Sequence, residues 1–430
     1  MKKYFVMMIM LMLISQLFSY SLLDRYSGSY VNNIDARSSA MGGAGVSGGN
    51  RLFDVNLNPA NLSFLPVGLG LQTGISVVKN DDNRSIPMYN FFDGYIDDAT
   101  YVNNTNFYDE YSAAAYYANS CGNHTFSFGF FYLPYINFDS NYFEEVRNDA
   151  GSDYDQYPAI IAKNYMESSG GIYEKKFTAS FNVNNIASIG VGISHLCGKS
   201  KNETRITATD SAPAIDDSLM IIKRNYDGFK LDVGTNIQLN PRLALGFNYT
   251  PEIDLNAQAE SEEADVSYLA EFKSPSRTRL GMAYEPRNIM RTHFNIDAEY
   301  VSWAEINTHY DDVMNFYLGV EHHFKNTIPV RLGFNYITEY QIVNDEIVYA
   351  DKILMPTFTA GTGFTVLENI IVDISGEFSN RKYETLDLFM DGHYADAPWN
   401  NIAPADRGWE NPDLVEETFF KFKAGISYKW

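Results

Sequence analysis

Phe419-Phe-Lys-Phe-Lys-Ala-Gly-Ile-Ser-Tyr-Lys-Trp430 is the stretch on which the fold turns. Phe420, Phe422, Ala424, Ile426, Tyr428 and Trp430 alternate with Lys421, Lys423, Gly425, Ser427 and Lys429. Successive side chains of a β-strand point to opposite faces, so one face is aromatic and aliphatic and the other is polar. The strand runs to a terminal aromatic residue, Trp430.

The same pattern recurs upstream. Leu243, Leu245, Phe247, Tyr249, Ile253, Leu255 and Ala257 oppose Ala244, Gly246, Asn248, Thr250, Glu252, Asp254 and Asn256. Met290, Phe294, Ile296, Ala298 and Tyr300 oppose Arg291, His293, Asn295, Asp297 and Glu299; Val330, Leu332, Phe334 and Tyr336 oppose Arg331, Gly333 and Asn335. A soluble sandwich would turn the polar face to water. A transmembrane barrel would turn it to the lumen and the apolar face to lipid.

The spacing predicts strands over 66–79, 111–119, 123–134, 172–183, 187–199, 228–239, 242–259, 265–286, 290–303, 313–324, 328–339, 353–365, 368–379 and 417–430. Tight connectors (120–122, 240–242, 285–288, 325–327, 366–368) alternate with long ones (80–110, 135–171, 200–227, 340–352, 380–416). An up-and-down barrel has short turns at one end and long loops at the other. Splitting 265–286 at Ser274-Pro275-Ser276 makes the count fifteen and puts short turns at the wrong end; one strand kinked at Pro275 makes it fourteen, an even number.

Composition agrees with an all-β chain. Tyr 31, Phe 29 and Trp 4 make 15% of 430 residues aromatic. Lys+Arg 32 against Asp+Glu 54 gives a net charge of −22, which argues against nucleic acid as a partner. Three long connectors, 80–110, 135–171 and 380–416, hold −6, −5 and −5 of it, the charge of solvated loops or of loops bridged by divalent ions. Cys121 and Cys197 are the whole cysteine complement, so neither a disulfide scaffold nor a Cys-rich metal centre is expected, and the two lie too far apart along their strands to pair. Residues 1–21, MKKYFVMMIMLMLISQLFSYS, combine two lysines, an apolar run and small residues at Ser19 and Ser21: a secretory signal peptide, whose removal takes the charge from −22 to −24.

Two further segments carry a resemblance. Ala36-Arg-Ser-Ser-Ala-Met-Gly-Gly-Ala-Gly-Val-Ser-Gly-Gly-Asn50, then Asn56-Leu-Asn-Pro-Ala-Asn-Leu62, resembles the N-terminal region of the FadL-type outer-membrane transporters of long-chain fatty acids and other hydrophobic compounds. Tyr300-Val-Ser-Trp-Ala304 resembles a strand end of the same family, and the aromatic C-terminus resembles the signal by which bacterial barrels are recognised for insertion. The resemblance implies a 14-stranded antiparallel transmembrane β-barrel (66–430) with a small N-terminal hatch (22–65) inside the lumen. Gly42, Gly43, Asn58, Pro59 and Ala60 would be hatch residues, with Asn58 an anchor. Phe422, Tyr428 and Trp430 would form the insertion signal read by the barrel-assembly machinery. It implies a monomer in the outer membrane of a diderm bacterium, with membrane lipid and a hydrophobic small molecule as partners. A non-transporting barrel of the same fold, serving secretion or surface assembly, is the alternative.

No catalytic set is visible, and no cofactor or metal is implied. His322 and His323 are adjacent and point apart on a strand. His293, Asp297 and Glu299 share a face that reads as a polar lumen wall rather than a metal site. The chain holds no P-loop. Leu219, Met220, Ile221 and Ile222, placed in the 200–227 loop, are the candidate capture patch for a hydrophobic substrate.

Overall fold

The computed structural model describes residues 28–90, 92, 94–147, 160–209, 217–262, 265–266, 271–287, 291–306, 310–324, 328–340, 352–385 and 413–429. The proposed signal peptide and Trp430 lie outside these residues. After a short strand β1 (Ser29–Tyr30) come β2 (Gly68–Tyr89), β3 (Tyr95–Cys121), β4 (His124–Asn137), β5 (Ser140–Arg147), β6 (Ile160–Val183), β7 (Ala187–Ala208) and β8 (Ser218–Asn240). Then follow β9 (Leu243–Thr250), β10 (Ile253–Ser261), β11 (Glu271–Ser274), β12 (Arg277–Tyr284), β13 (Thr292–Val301), β14 (Val313–Phe324), β15 (Ile328–Glu339), β16 (Ile353–Leu367), β17 (Ile370–Thr385) and β18 (Asp413–Lys429).

Every wall pairing is antiparallel between neighbours, and β18 pairs with β2, Lys429 opposite Gly70, to close the ring. Three staves are broken in two. β4 and β5 both pair with β6, β9 and β10 both pair with β8, and β11 and β12 pair with β10 and β9 in turn. Counting each broken stave once gives a closed barrel of fourteen strands. The stave expected to kink at Pro275 does so, between Ser274 and Arg277.

The outside is apolar and the inside polar. On β12, Leu280, Met282 and Tyr284 are exposed while Arg279 is buried. On β18, Phe420 and Phe422 face out, and Lys423 and Ser427 face in. Aromatic rings meet across the outer face, Tyr132 stacked on Tyr173 at 5.3 Å and Phe126 tilted against Phe181 at 4.5 Å. Such an apolar exterior with a polar interior is the surface a barrel presents to lipid.

Three expectations need correction. Three connectors read as long loops, 80–110, 135–171 and 200–227, are largely strand among the described residues: β2 and β3 continue through most of 80–110, and β3 alone has 27 residues. A spanning strand needs only about 9–11 residues, so the wall rises well beyond a bilayer; polar residues kept the extension out of the apolar pattern. Leu219–Ile222 are not in a loop. They open β8 and pair with Arg205–Asn202 of β7. And Ile253, Leu255 and Ala257 do not share the face of Leu245: they are buried, turned inward by the break between Thr250 and Ile253. Cys121 and Cys197 are both free thiols.

Residues 29–65 run within the ring of strands. A short helix, α1 (Ala36–Ala40), begins at Asp35, whose carboxylate accepts from the amides of Arg37 (2.8 Å) and Ser38 (3.1 Å). Two 3-10 turns follow, Leu52–Asn56 and Pro59–Phe64. Asn58 caps the second in extended backbone (φ −159°, ψ 114°), the geometry a following proline enforces.

Candidate functional site: the occupied lumen

The lumen has two zones. In the zone toward the tight turns, the N-terminal segment is fastened to staves on every side. Gly45 and Val46 donate to Asp297 of β13, Gly42 donates to Thr359 of β16, and Asn335 of β15 donates back to the Gly42 carbonyl at 3.0 Å. Phe53 donates to Gln72 of β2, and Ser188 of β7 donates to the Ala60 carbonyl at 3.2 Å. Asn58 is fully buried; its Nδ2 donates to the carbonyls of Val46 and Thr235, both at 2.9 Å, and its Oδ1 accepts from Ala60. Buried backbone groups of a coil are thereby satisfied by the wall.

Small residues permit this approach. Gly42 has φ +67°, and a Cβ there would sit 2.5 Å from the carbonyls of Leu318 and Phe334. A Cβ on Gly333 of the wall would lie 2.0 Å from the Gly42 nitrogen, and one on Gly234 would overlap Asn58. The glycines on the polar face of the sequence are the places where the coil meets the barrel.

Charge binds the same zone. Arg37 reaches Glu321 (3.1 Å); Glu321 also pairs with Arg331 (2.6 Å); Arg331 pairs with Asp373 (2.8 Å); and Asp373 returns to Arg51 (2.6 Å). The chain of ions starts and ends in the N-terminal segment and crosses the wall between. Burial, with Asp54 and Asp373 nearby, pushes Asp35 up to about 7, and burial raises Asp54 as well.

Toward the long connections the lining turns apolar. Tyr135, Ile136 and Phe138 converge with Ile172, Leu196, Tyr226, Ile253, Leu255, Ala257 and Phe272, and Tyr30 packs against them. Phe138 stacks on Tyr226 at 5.1 Å, and Phe272 meets Tyr226 edge-on at 5.8 Å. Tyr30 meets Tyr135 at 5.3 Å. Cations rim the cluster: Arg277 lies over Tyr30 at 4.5 Å and Lys230 over Tyr135 at 5.4 Å. A cavity of about 50 Å³ opens beside Tyr30, Ile136, Phe272, Arg277 and Trp303.

This apolar zone went unread in the sequence. Its signal is a change of parity beside a proline. On β4–β5 the inward residues are odd up to Leu133 and even from Phe138; on β9–β10 they are even up to Thr250 and odd from Ile253; on β11–β12 they are even up to Ser274 and odd again at Arg279. Pro134, Pro251 and Pro275 mark the three flips, as prolines at bulges do. Of the expected site residues, Gly42, Gly43, Asn58, Pro59 and Ala60 come together in the fastened zone. Leu219–Ile222 lie apart from the apolar cluster, with Leu219 exposed and Ile222 buried. Phe422 and Tyr428 lie on the outer face of β18. Asp297 and Glu299 face the lumen but are engaged with Arg279 (3.0 Å) and with Tyr317 (2.7 Å).

The closed fourteen-strand barrel is the FadL-type fold. A FadL homologue of Pseudomonas aeruginosa superimposes with a TM-score of 0.58 at 12% identity, covering 94% of this chain and 99% of that one. The toluene transporter TodX of Pseudomonas putida gives 0.56 at 13% identity, covering 97% and 100%; the toluene transporter TbuX of Ralstonia pickettii gives 0.54 at 14%, covering 94% and 99%. No protein-family model and no curated protein sequence matches the chain.

Proposed function

We propose that the protein is an outer-membrane channel for uptake of hydrophobic small molecules into a diderm bacterium, with residues 22–65 acting as its hatch. The observation that carries this reading is the apolar cluster that lines the lumen toward the long connections, rimmed by the cations of Arg277 and Lys230. A concave apolar lining with a few polar groups at its rim is the usual form of a site for an apolar small molecule. The likeness to FadL-type and toluene-transporting barrels supports the same reading at the level of the fold. The cavity beside Tyr30 is about 50 Å³, close to the share of one or two waters, so this is a closed state. Opening then requires the segment carrying Tyr30 to withdraw.

In this reading residues 1–21 direct export and are removed, the outer face of the wall meets lipid, and the barrel works as a monomer. Phe422, Tyr428 and Trp430 serve insertion by the assembly machinery. Leu219 supplies apolar surface where β8 begins, a first contact for substrate. The test is binding of fatty acids and monoaromatics to detergent-purified protein, followed by tryptophan and ligand fluorescence. Phe138→Ala and Leu255→Ala should each weaken binding, while Leu245→Ala on the outer face should not. Equal binding by all three variants would move the site away from this cluster.

A further inference from the structure

The outer wall above its apolar belt is uneven. Along β6, β7 and β8 the odd-numbered side chains face outward. From the tight turn upward, β7 presents Ile189, Val191 and Ile193, then His195 and Cys197, then Lys199 and Lys201. On β8 the series is Leu239, Ile237, Thr235, Val233, Leu231 and Phe229, then Asp227, Asn225 and Lys223. Lys199 stands twelve residues above the start of β7. At ~3.3 Å per residue and a tilt of ~40° that is a rise of roughly 30 Å, where a hydrocarbon core gives way to headgroups.

At that level three lysines converge. Lys201 lies directly opposite Lys223, and Lys199 is opposite Asn225, the next outward pair. Like charges in direct register repel. Lys201 has a carboxylate in Glu203 at 2.8 Å. Lys199 and Lys223 have no ion-pair partner among the described residues; Glu260 faces Lys223 from β10 in register without closing a pair. Arg205, higher on the same face, is taken up by Tyr165, 4.5 Å below its guanidinium. Three other exposed lysines are neutralised, Lys79 by Asp81 (2.5 Å), Lys382 by Glu416 (2.9 Å) and Lys352 by Asp311 (2.9 Å), whereas Lys175, lower on β6, stands alone among the described residues and without a second lysine opposite it. Lys199 and Lys223, with Lys201 between them, leave room for an anion from outside the chain.

The geometry points to a binding site on β7–β8 for the phosphorylated headgroup of an outer-leaflet lipid, held by Lys199, Lys201 and Lys223. A phosphate between the strands converts the repulsion into three charge-assisted contacts, and the acyl chains lie down the belt of Phe229, Ile193 and Leu231. The inference rests on the membrane placement proposed above and is independent of transport.

The test uses the full mature chain folded in detergent, titrated with bisphosphorylated lipid A and followed by its thermal melting. A saturable rise with lipid A is expected, with a much smaller one for dephosphorylated lipid A and none for inorganic phosphate at equal concentration. Apparent affinity should fall roughly fivefold for each of K199Q, K201Q and K223Q, and on the order of a hundredfold for the triple variant. K79Q should behave as the parent. A triple variant that binds as the parent does, or equal responses to the dephosphorylated lipid, would overturn the site. An equal response to inorganic phosphate would make it a free-anion site and overturn the lipid assignment. If the glutamine triple fails to show the heat-modifiable folded form, the arginine triple K199R/K201R/K223R decides: it should retain binding, and loss there refutes the charge argument. Loss of fatty-acid binding with lipid A binding intact would fail the transport reading alone.

Discussion

Leu245 and Leu255 belong to one stave and face opposite ways. Leu245 is on β9, 42% exposed, on the outer face; Leu255 is on β10, fully buried in the lumen. Between them Thr250 and Ile253 both point inward, three residues apart, so the parity of the strand has changed. One side-chain step in a sheet moves the whole apolar set to the other face. The barrel uses that step on three staves, β4–β5 and the adjacent pair β9–β10 and β11–β12, to put a greasy lining above a polar one. The lower zone holds the N-terminal segment by hydrogen bonds and ions, which fix geometry, as well as by packing of Phe53 and Leu62 among Tyr116, Phe131 and Leu133. The upper zone is held by ring and methyl packing, which can be rearranged or replaced by an apolar guest.

The largest effect should come from removing what the lower zone holds. Deleting residues 36–50 from a correctly inserted barrel eliminates Arg37, Gly42 and the donors to Asp297 in one stroke. Small polar solutes should then leak, read as current in a planar bilayer, and hydrophobic uptake should change. If conductance and uptake are both unaltered, the segment is no hatch, and the case for a gated channel over a structural barrel goes with it.

Next comes a single buried charge. Arg37 is 2% exposed and joins Glu321 to Asp54. Arg37→Met leaves Asp54 without its nearest hatch cation, a change of about 3–5 kcal/mol in docking of the segment. Proteolysis should then cut within residues 29–65 much faster than in the parent, with the barrel intact on a heat-modifiability gel. Unchanged protection would show that glycine packing alone holds the coil.

Leu255→Ala against Leu245→Ala sharpens the contrast between zones. Inside, the missing atoms leave a cavity among Phe272, Tyr226 and Ile253, at a cost of about 2–5 kcal/mol. Outside, lipid tails refill the space, and the loss should be far smaller. Urea unfolding from vesicles measures both. Equal losses would mean Leu255 also faces lipid.

Much of this was legible in advance, and the reason is period two. The alternation at 419–430 and 330–336, with tight turns between strands, placed the staves, their number and their outer face. The kink at Pro275 followed from the requirement that tight turns share one end. The inner cluster was illegible because the alternation in sequence runs straight through Pro251. Tyr249 and Ile253 belong to one odd-numbered apolar series, yet Tyr249 stays on the outer face and Ile253 turns into the lumen. The long extensions were missed for a different reason. Asn80, Asn103 and Asn106 give no apolar period, yet their strands continue, because Asn106 donates to the Asn141 carbonyl and Asn103 to Asn83. The wall glycines were visible as a polar-face feature, but their partner, the Gly42 coil, lies far away in the chain.

The smallest predicted effect is electrostatic and belongs to the fastened zone. Asp35 caps α1 and also accepts from Gln72 of β2 at 2.5 Å. Burial, reinforced by Asp54 and Asp373 and opposed by Arg51, raises it to about 7. Freed from the lumen it would titrate near an ordinary carboxylate, about 4. The docked segment therefore binds the proton more tightly than the undocked one, and docking is strongest in acid. As pH climbs from about 4 to about 7 the docked state loses this advantage, and above about 7 the dependence flattens. Leak current through the parent channel should rise across that window. Asp35→Asn keeps an oxygen to accept from Arg37 and Ser38 but cannot titrate, so most of the slope should vanish, with a remainder from Asp54, which burial also raises. A slope that survives in Asp35→Asn unchanged, or a leak that falls as pH rises, would place the sensitive group elsewhere in the barrel.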